Sequence, residues 1–192
     1  MAFRRLAQKL SRRRRGLVRA EDGSVAIEFG MVALPFCLMM FAILELSLVF
    51  VTDSVLENAT IETGRLIRTG QAQAQNMTAT QFKNGVCSRM SIFSADCATR
   101  ATVDVRVIAN FSTPPPDPMA GGTFDEGGLT YTNGAPRQLM LVRVWYKQPL
   151  LTTFMAQGLS RLKDGTVRLT STTAFRNEPF NPTLPATPPA TP

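Results

Sequence analysis

The chain has 192 residues, a formal net charge of +7, no histidine and 44% hydrophobic residues. That length leaves room for one modest domain beside a membrane segment, and the missing imidazole excludes histidine-based metal sites and catalytic triads. The charge is local, because residues 1–20 hold eight of the 21 basic residues and leave 13 basic against 14 acidic in the rest. A nucleic-acid arm is the competing reading of such a run, but arms of that kind do not need an adjoining apolar span, so no nucleic-acid partner is expected.

Arg12 to Arg15 and Arg19 lead through Gly23-Ser24-Val25-Ala26-Ile27-Glu28-Phe29 into an apolar run. From Phe29 to Leu44 there is no charge; Glu45 interrupts, and Leu46 to Val51 is apolar again. Val25 to Val51 is 27 residues, enough at about 1.5 Å per residue to cross a bilayer core of roughly 30 Å. The basic flank sets the amino end in the cytoplasm. A cleaved secretory signal is the alternative, but its apolar region is shorter and ends in an A-x-A-like exit. Pro35 predicts a kink or a locally melted turn between Ile27 and Pro35. Cys37, within the run, is expected to be a small buried hydrophobe.

Past Asp53 the helical pattern persists. Val55, Leu56, Ala59, Glu62, Thr63, Leu66 and Ile67 recur at three- and four-residue steps, and Gly70 suits a helix end. One continuous helix from about Ser24 to Thr69 is predicted. Alternating runs then predict strands at 102–109, 138–147 and 166–175. Met140, Val142, Val144 and Tyr146 share one face of the second, with Leu139, Leu141, Arg143 and Trp145 on the other; of Trp145 and Tyr146, one is expected in the core and one at the surface. Ser112 to Gly128 is rich in Pro and Gly and reads as a surface loop. Leu150 to Leu162 reads as a short helix, and Glu178 to Pro192 as an extended Pro- and Thr-rich tail.

The fold class is therefore α+β: a long amino-terminal transmembrane helix continuing into a small extracytoplasmic domain with an antiparallel sheet. Its expected parts are a basic leader at 1–23, the span at 24–51, an amphipathic extension at 52–70, a β-rich domain at 71–177 and the tail at 178–192. Cys87 and Cys97 lie in a polar stretch and form either a disulfide, if that side is oxidising, or two free thiols. Without a CxxC pair no zinc site is expected. Nothing places a nucleophile beside a base and no phosphate loop occurs, so neither enzyme activity nor a cofactor is expected.

The basic leader, Gly23, Ser24, Glu28, Phe29 and the apolar helix with Pro35 match the pattern G-x-x-x-x-E-[FY]. This junction resembles the TadE/TadF-like family, minor pseudopilins of the tight-adherence (Tad/Flp) type IV pilus system. From Asp53 onward the likeness is one of layout only. The resemblance implies a pilin-like fold and cleavage between Gly23 and Ser24 by a membrane-embedded aspartyl prepilin peptidase. It also implies a place in the bacterial inner membrane, domain outward, and partners among other pilins and pseudopilins, the Tad inner-membrane assembly platform and the lipid bilayer. A non-polymerising single-span envelope protein, whose outer domain binds a partner, is the alternative.

An ionisable group within a bilayer costs roughly 2.5–3.5 kcal/mol on insertion scales. Under the resemblance, Glu28 offsets that cost by pairing with the new Ser24 ammonium of a neighbouring subunit; the competing reading is an interfacial acid that snorkels into headgroups. Glu45 either marks the exit from the bilayer or meets another protein.

Overall fold

The computed structural model describes residues 21–113, 115–120, 122–152, 158 and 166–181, with side chains from Gly23 onward. The leader up to residue 20, most of the expected helix at 150–162 and the tail beyond Asn181 lie outside the described residues. The first helix, α1 (Glu21–Arg68), runs for 48 residues, beginning just ahead of the expected start at Ser24. The chain divides into two compact units between Leu44 and Glu45.

In the first unit α1 is apolar on every side. Phe29, Met31, Val32, Leu34 and Phe36 cover more than a full turn and are all exposed, as are Met39 and Ile43. A helix that is hydrophobic all round needs lipid or other chains about it. Cys37 is exposed as well, so its expected burial is not met within this chain. Helical backbone continues unbroken through Pro35, and no turn is melted there. Proline removes one hydrogen bond, which the cooperative bonding on either side of it outweighs.

In the second unit the same helix becomes one-sided. Glu45, Val49, Thr52, Leu56, Ala59, Thr60, Thr63 and Ile67 are buried, at the three- and four-residue steps of a single stripe. Glu62, expected on that stripe, is exposed, as suits a carboxylate with water within reach. Small side chains bring the helix close to the sheet: a Cβ on Gly64 would lie 3.3 Å from the Phe175 ring. The buried threonine hydroxyls of Thr52, Thr60 and Thr63 donate one turn back, to the carbonyls of Leu48, Leu56 and Ala59, at 2.8, 2.8 and 2.7 Å. They add no unpaired polar atom to the core.

Gly70 ends α1 with φ +85°, and its Cβ position is filled by the Phe180 ring. Only glycine meets both demands. Glu178 donates its backbone N–H to Arg68 O at 2.9 Å, so the start of the expected tail is docked on the helix end rather than free of the domain.

Three helices follow that the strand-like reading of the domain missed: α2 (Gln71–Ala74), α3 (Ala79–Ser88) and α4 (Ser94–Arg100), with a 3-10 turn at Ser91–Phe93 before the last. Thr78 and Gln81 form a capping box at the start of α3, satisfying two amide donors reciprocally. Cys87 and Cys97 are joined as a disulfide, with Cα atoms 5.4 Å apart, tying the end of α3 to α4.

Strands β1 (Ala101–Val107), β2 (Leu139–Gln148) and β3 (Val167–Arg176) form an antiparallel sheet in that order. All three lie within two residues of their expected bounds. Val105 pairs with Val142, and Val142 with Thr173. The face with Met140, Val142, Val144 and Tyr146 joins Leu56, Ile67, Phe82, Val86 and Met90 in the core.

Trp145 and Tyr146 are both buried, which corrects the expectation that one would be at the surface. The second face of β2 is covered by the Pro- and Gly-rich connection between β1 and β2. Phe124 stands edge-on to Trp145 at 5.5 Å, and the Arg168 guanidinium lies 4.3 Å from the Phe124 ring centre. That connection is a surface loop, as expected, and it also acts as a lid of the sheet.

Closing the ten-residue loop between Cys87 and Cys97 restricts the unfolded chain, and a link of this size contributes about 2–3 kcal/mol. Replacing both cysteines by serine should lower the melting temperature in detergent, to the value the wild type shows in reductant. Equal melting of the oxidised and serine forms would show that the link adds nothing.

Candidate assembly site

The junction residues come together by helical geometry alone. Gly23 lies in the opening turn of α1, and a Cβ placed on it would meet nothing within 4 Å. Ser24 and Glu28 are four residues apart and so share one side of the helix. Phe29 is 73% exposed. Ser24 and Glu28 are exposed too, and among the described residues Glu28 has no hydrogen bond or ion pair. Gly23, Ser24, Glu28 and Phe29 therefore form a surface open to another molecule. Cys87 and Cys97 belong to the second unit and take no part in it.

Glu45 behaves differently. Only 7% of it is exposed, and its carboxylate accepts from the backbone N–H of Leu151, from that of Thr152 at 3.3 and 3.2 Å, and from the Thr152 hydroxyl. It neither marks a bare exit from the apolar run nor waits for another protein, because it fastens the segment after β2 to α1. Residue spacing gave no sign of this, since the partners lie 106 and 107 positions away.

A second polar centre holds the lid. The Asp104 side chain is fully buried. It accepts from Arg143 Nε and Nη2 at 2.9 and 2.8 Å, from Arg106 Nε at 2.9 Å and from the Thr130 backbone N–H at 2.8 Å. The two guanidinium groups reach on to the carbonyls of Pro116 and Gly128, at 3.1 and 2.8 Å. Burial alone would raise the Asp104 pKa, but the hydrogen bonds from Arg106, Thr130 and Arg143 outweigh it and hold the carboxyl below its ordinary range. The register explains the meeting, because Asp104 pairs directly with Arg143 across β1 and β2. Tyr131, which packs beside Phe82 at the core, has its pKa pushed up to about 12 by burial.

One helix among the described residues is long and apolar enough to cross a membrane, and it continues into a small α+β domain. That build suits a protein held in a membrane by this helix. Residues 23–76 match a family model described as TadE-like protein. The matched segment, 54 of the 192 residues, starts at Gly23 and takes in Ser24, Glu28 and Phe29, so over that stretch the chain is similar to the family that these residues resembled. No curated protein matches the chain, and no solved structure does.

Asp104 has a depressed folded pKa, so its contribution to stability is present above the unfolded value of about 3.9 and is lost as pH falls through the folded value. Urea melts followed by Trp145, the single tryptophan, should show stability falling below about pH 4. Asp104→Asn leaves the buried Arg143 and the half-buried Arg106 without their anion and should cost ~3 kcal/mol or more at neutral pH, with a flatter acid response. An unchanged acid response in the variant would remove Asp104 from this role.

Proposed function

We propose that this protein is a minor pseudopilin of a Tad/Flp-type pilus, with a structural rather than an enzymatic role. It is made as a precursor, cut between Gly23 and Ser24 by a prepilin peptidase at the cytoplasmic face of the inner membrane, and used in initiating or assembling the pilus. The observation that carries this reading is the exposed, all-apolar first half of α1, headed by Gly23, Ser24, Glu28 and Phe29. A helix of that kind serves both as a bilayer span and as a packing element among other pilins and the Tad assembly platform.

The chemistry of the junction supports processing. A glycine in a helix costs about 0.5–1 kcal/mol relative to alanine, so the opening turn unwinds readily into the extended form a protease groove accepts. The basic leader holds the junction at the anionic cytoplasmic surface. Cutting there removes eight basic and two acidic residues, which leaves 13 basic against 12 acidic in the remainder.

Cleavage also creates the partner of Glu28. The Ser24 ammonium and the Glu28 carboxylate stand at the end of a helix whose own dipole favours the acid. In a packed bundle the ammonium of one subunit meets the carboxylate of the next, which neutralises two charges at membrane depth and sets the axial register.

Mass spectrometry of the protein from a piliated strain should find Ser24 as the first residue, and Gly23→Phe should leave the precursor uncut. Intact residue 1 in wild-type envelopes would contradict processing. Glu28→Gln should be inserted and cleaved normally, yet fail to support piliation, because it strands an ammonium at a cost of ~3–5 kcal/mol per contact. Wild-type piliation in that variant would contradict the pairing while leaving cleavage intact.

A further inference from the structure

Glu45 stands in a stretch that otherwise holds no charge. The uncharged run from Phe29 to Leu44 is 16 residues long, short of the roughly 20 that a bilayer core requires, and Leu46 to Val51 completes it. Beyond Glu45 the helix still shows apolar side chains, with Leu48, Phe50 and Val51 exposed. Glu45 therefore lies inside the outer end of the span and not beyond it.

At that depth two kinds of group are costly: a carboxylate, and the backbone N–H of any non-helical segment. Here each satisfies the other. The carboxylate takes the N–H groups of Leu151 and Thr152 and the Thr152 hydroxyl. Leu150 packs against the core, while Leu151, its neighbour, turns outward and is 84% exposed, the most open large apolar residue among the described residues. A leucine whose backbone is clamped at the end of a membrane span, and whose side chain faces away from the protein, is suited to hydrocarbon.

We propose that Leu150–Thr152 is a second membrane contact, in which Glu45 clasps the segment after β2 to the outer end of the span and Leu151 enters the outer-leaflet boundary of the bilayer. The occupant is lipid, because Glu45, which holds the Leu151 backbone, stands in the same apolar run as the exposed Leu48, Phe50 and Val51. The proposal rests on the membrane reading of α1.

The test uses the full chain in phosphatidylethanolamine/phosphatidylglycerol proteoliposomes. A fluorophore is placed by Leu151→Cys in a Cys37→Ser background, and in a separate sample on Cys37 itself. Label at position 151 should lose emission with acyl-brominated lipid and resist aqueous iodide, and Glu45→Ala should reverse both responses while Trp145 emission stays constant. Quenching by iodide in the Glu45 protein overturns the proposal, as does shielding from both quenchers, which would indicate a protein partner. Lipid quenching that persists unchanged in Glu45→Ala overturns the clasp. If label on Cys37 also escapes the lipid quencher, the span itself is refuted, a distinct failure.

Discussion

Everything in this protein depends on one helix that must suit two surroundings without a break. Its first half has apolar side chains on all sides, which is stable only in lipid or among other apolar helices. From Glu45 on, the same backbone carries a narrow buried stripe whose members are mostly small or β-branched: Val49, Thr52, Ala59, Thr60 and Thr63, with Leu56 and Ile67. The stripe permits close approach to the sheet, and the threonine hydroxyls are silenced by carbonyls of their own helix. The change of surroundings is thus written in side chains alone, and the hydrogen-bonded rod is common to both.

Two buried carboxylates complete the design, each resolving a conflict the helix and sheet leave open. A three-stranded sheet with α1 on one face would expose Trp145, Arg143 and Leu141 on the other. Asp104 gathers Arg143 and Arg106, and these hold the lid through the carbonyls of Pro116 and Gly128. Such an ionic centre adds little net stability over an apolar one; its value lies in fixing a connection that has little regular structure of its own. Glu45 plays the corresponding part for the segment after β2, joining positions far apart in the chain.

Much of this was legible in the sequence, for identifiable reasons. The span, the helix end at Gly70 and all three strands followed from periodicity, which reports local burial directly. The family resemblance was legible in the motif from Gly23 to Phe29, since its residues are close in sequence. What escaped was non-local: the burial of both Trp145 and Tyr146, the Asp104 centre and the role of Glu45 each depend on which distant segment folds over which face. The helices between Gln71 and Arg100 escaped for a different reason. Each is only four to ten residues long, too short for a clear period, although Thr78-Ala79-Thr80-Gln81 carried a capping-box signature that would have placed the start of α3.

The central claim is that α1 crosses the membrane once, with its first half in lipid and the domain on the outer side. Cysteine accessibility in spheroplasts tests it most directly, using a membrane-impermeant maleimide on the native Cys37 and on Ser112→Cys in the exposed stretch after β1. The account predicts that the Ser112→Cys position is labelled in intact spheroplasts, while Cys37 stays unlabelled even after lysis and reacts only in detergent. Labelling of Cys37 in intact or lysed spheroplasts, or protection of the Ser112→Cys position until lysis, would contradict it.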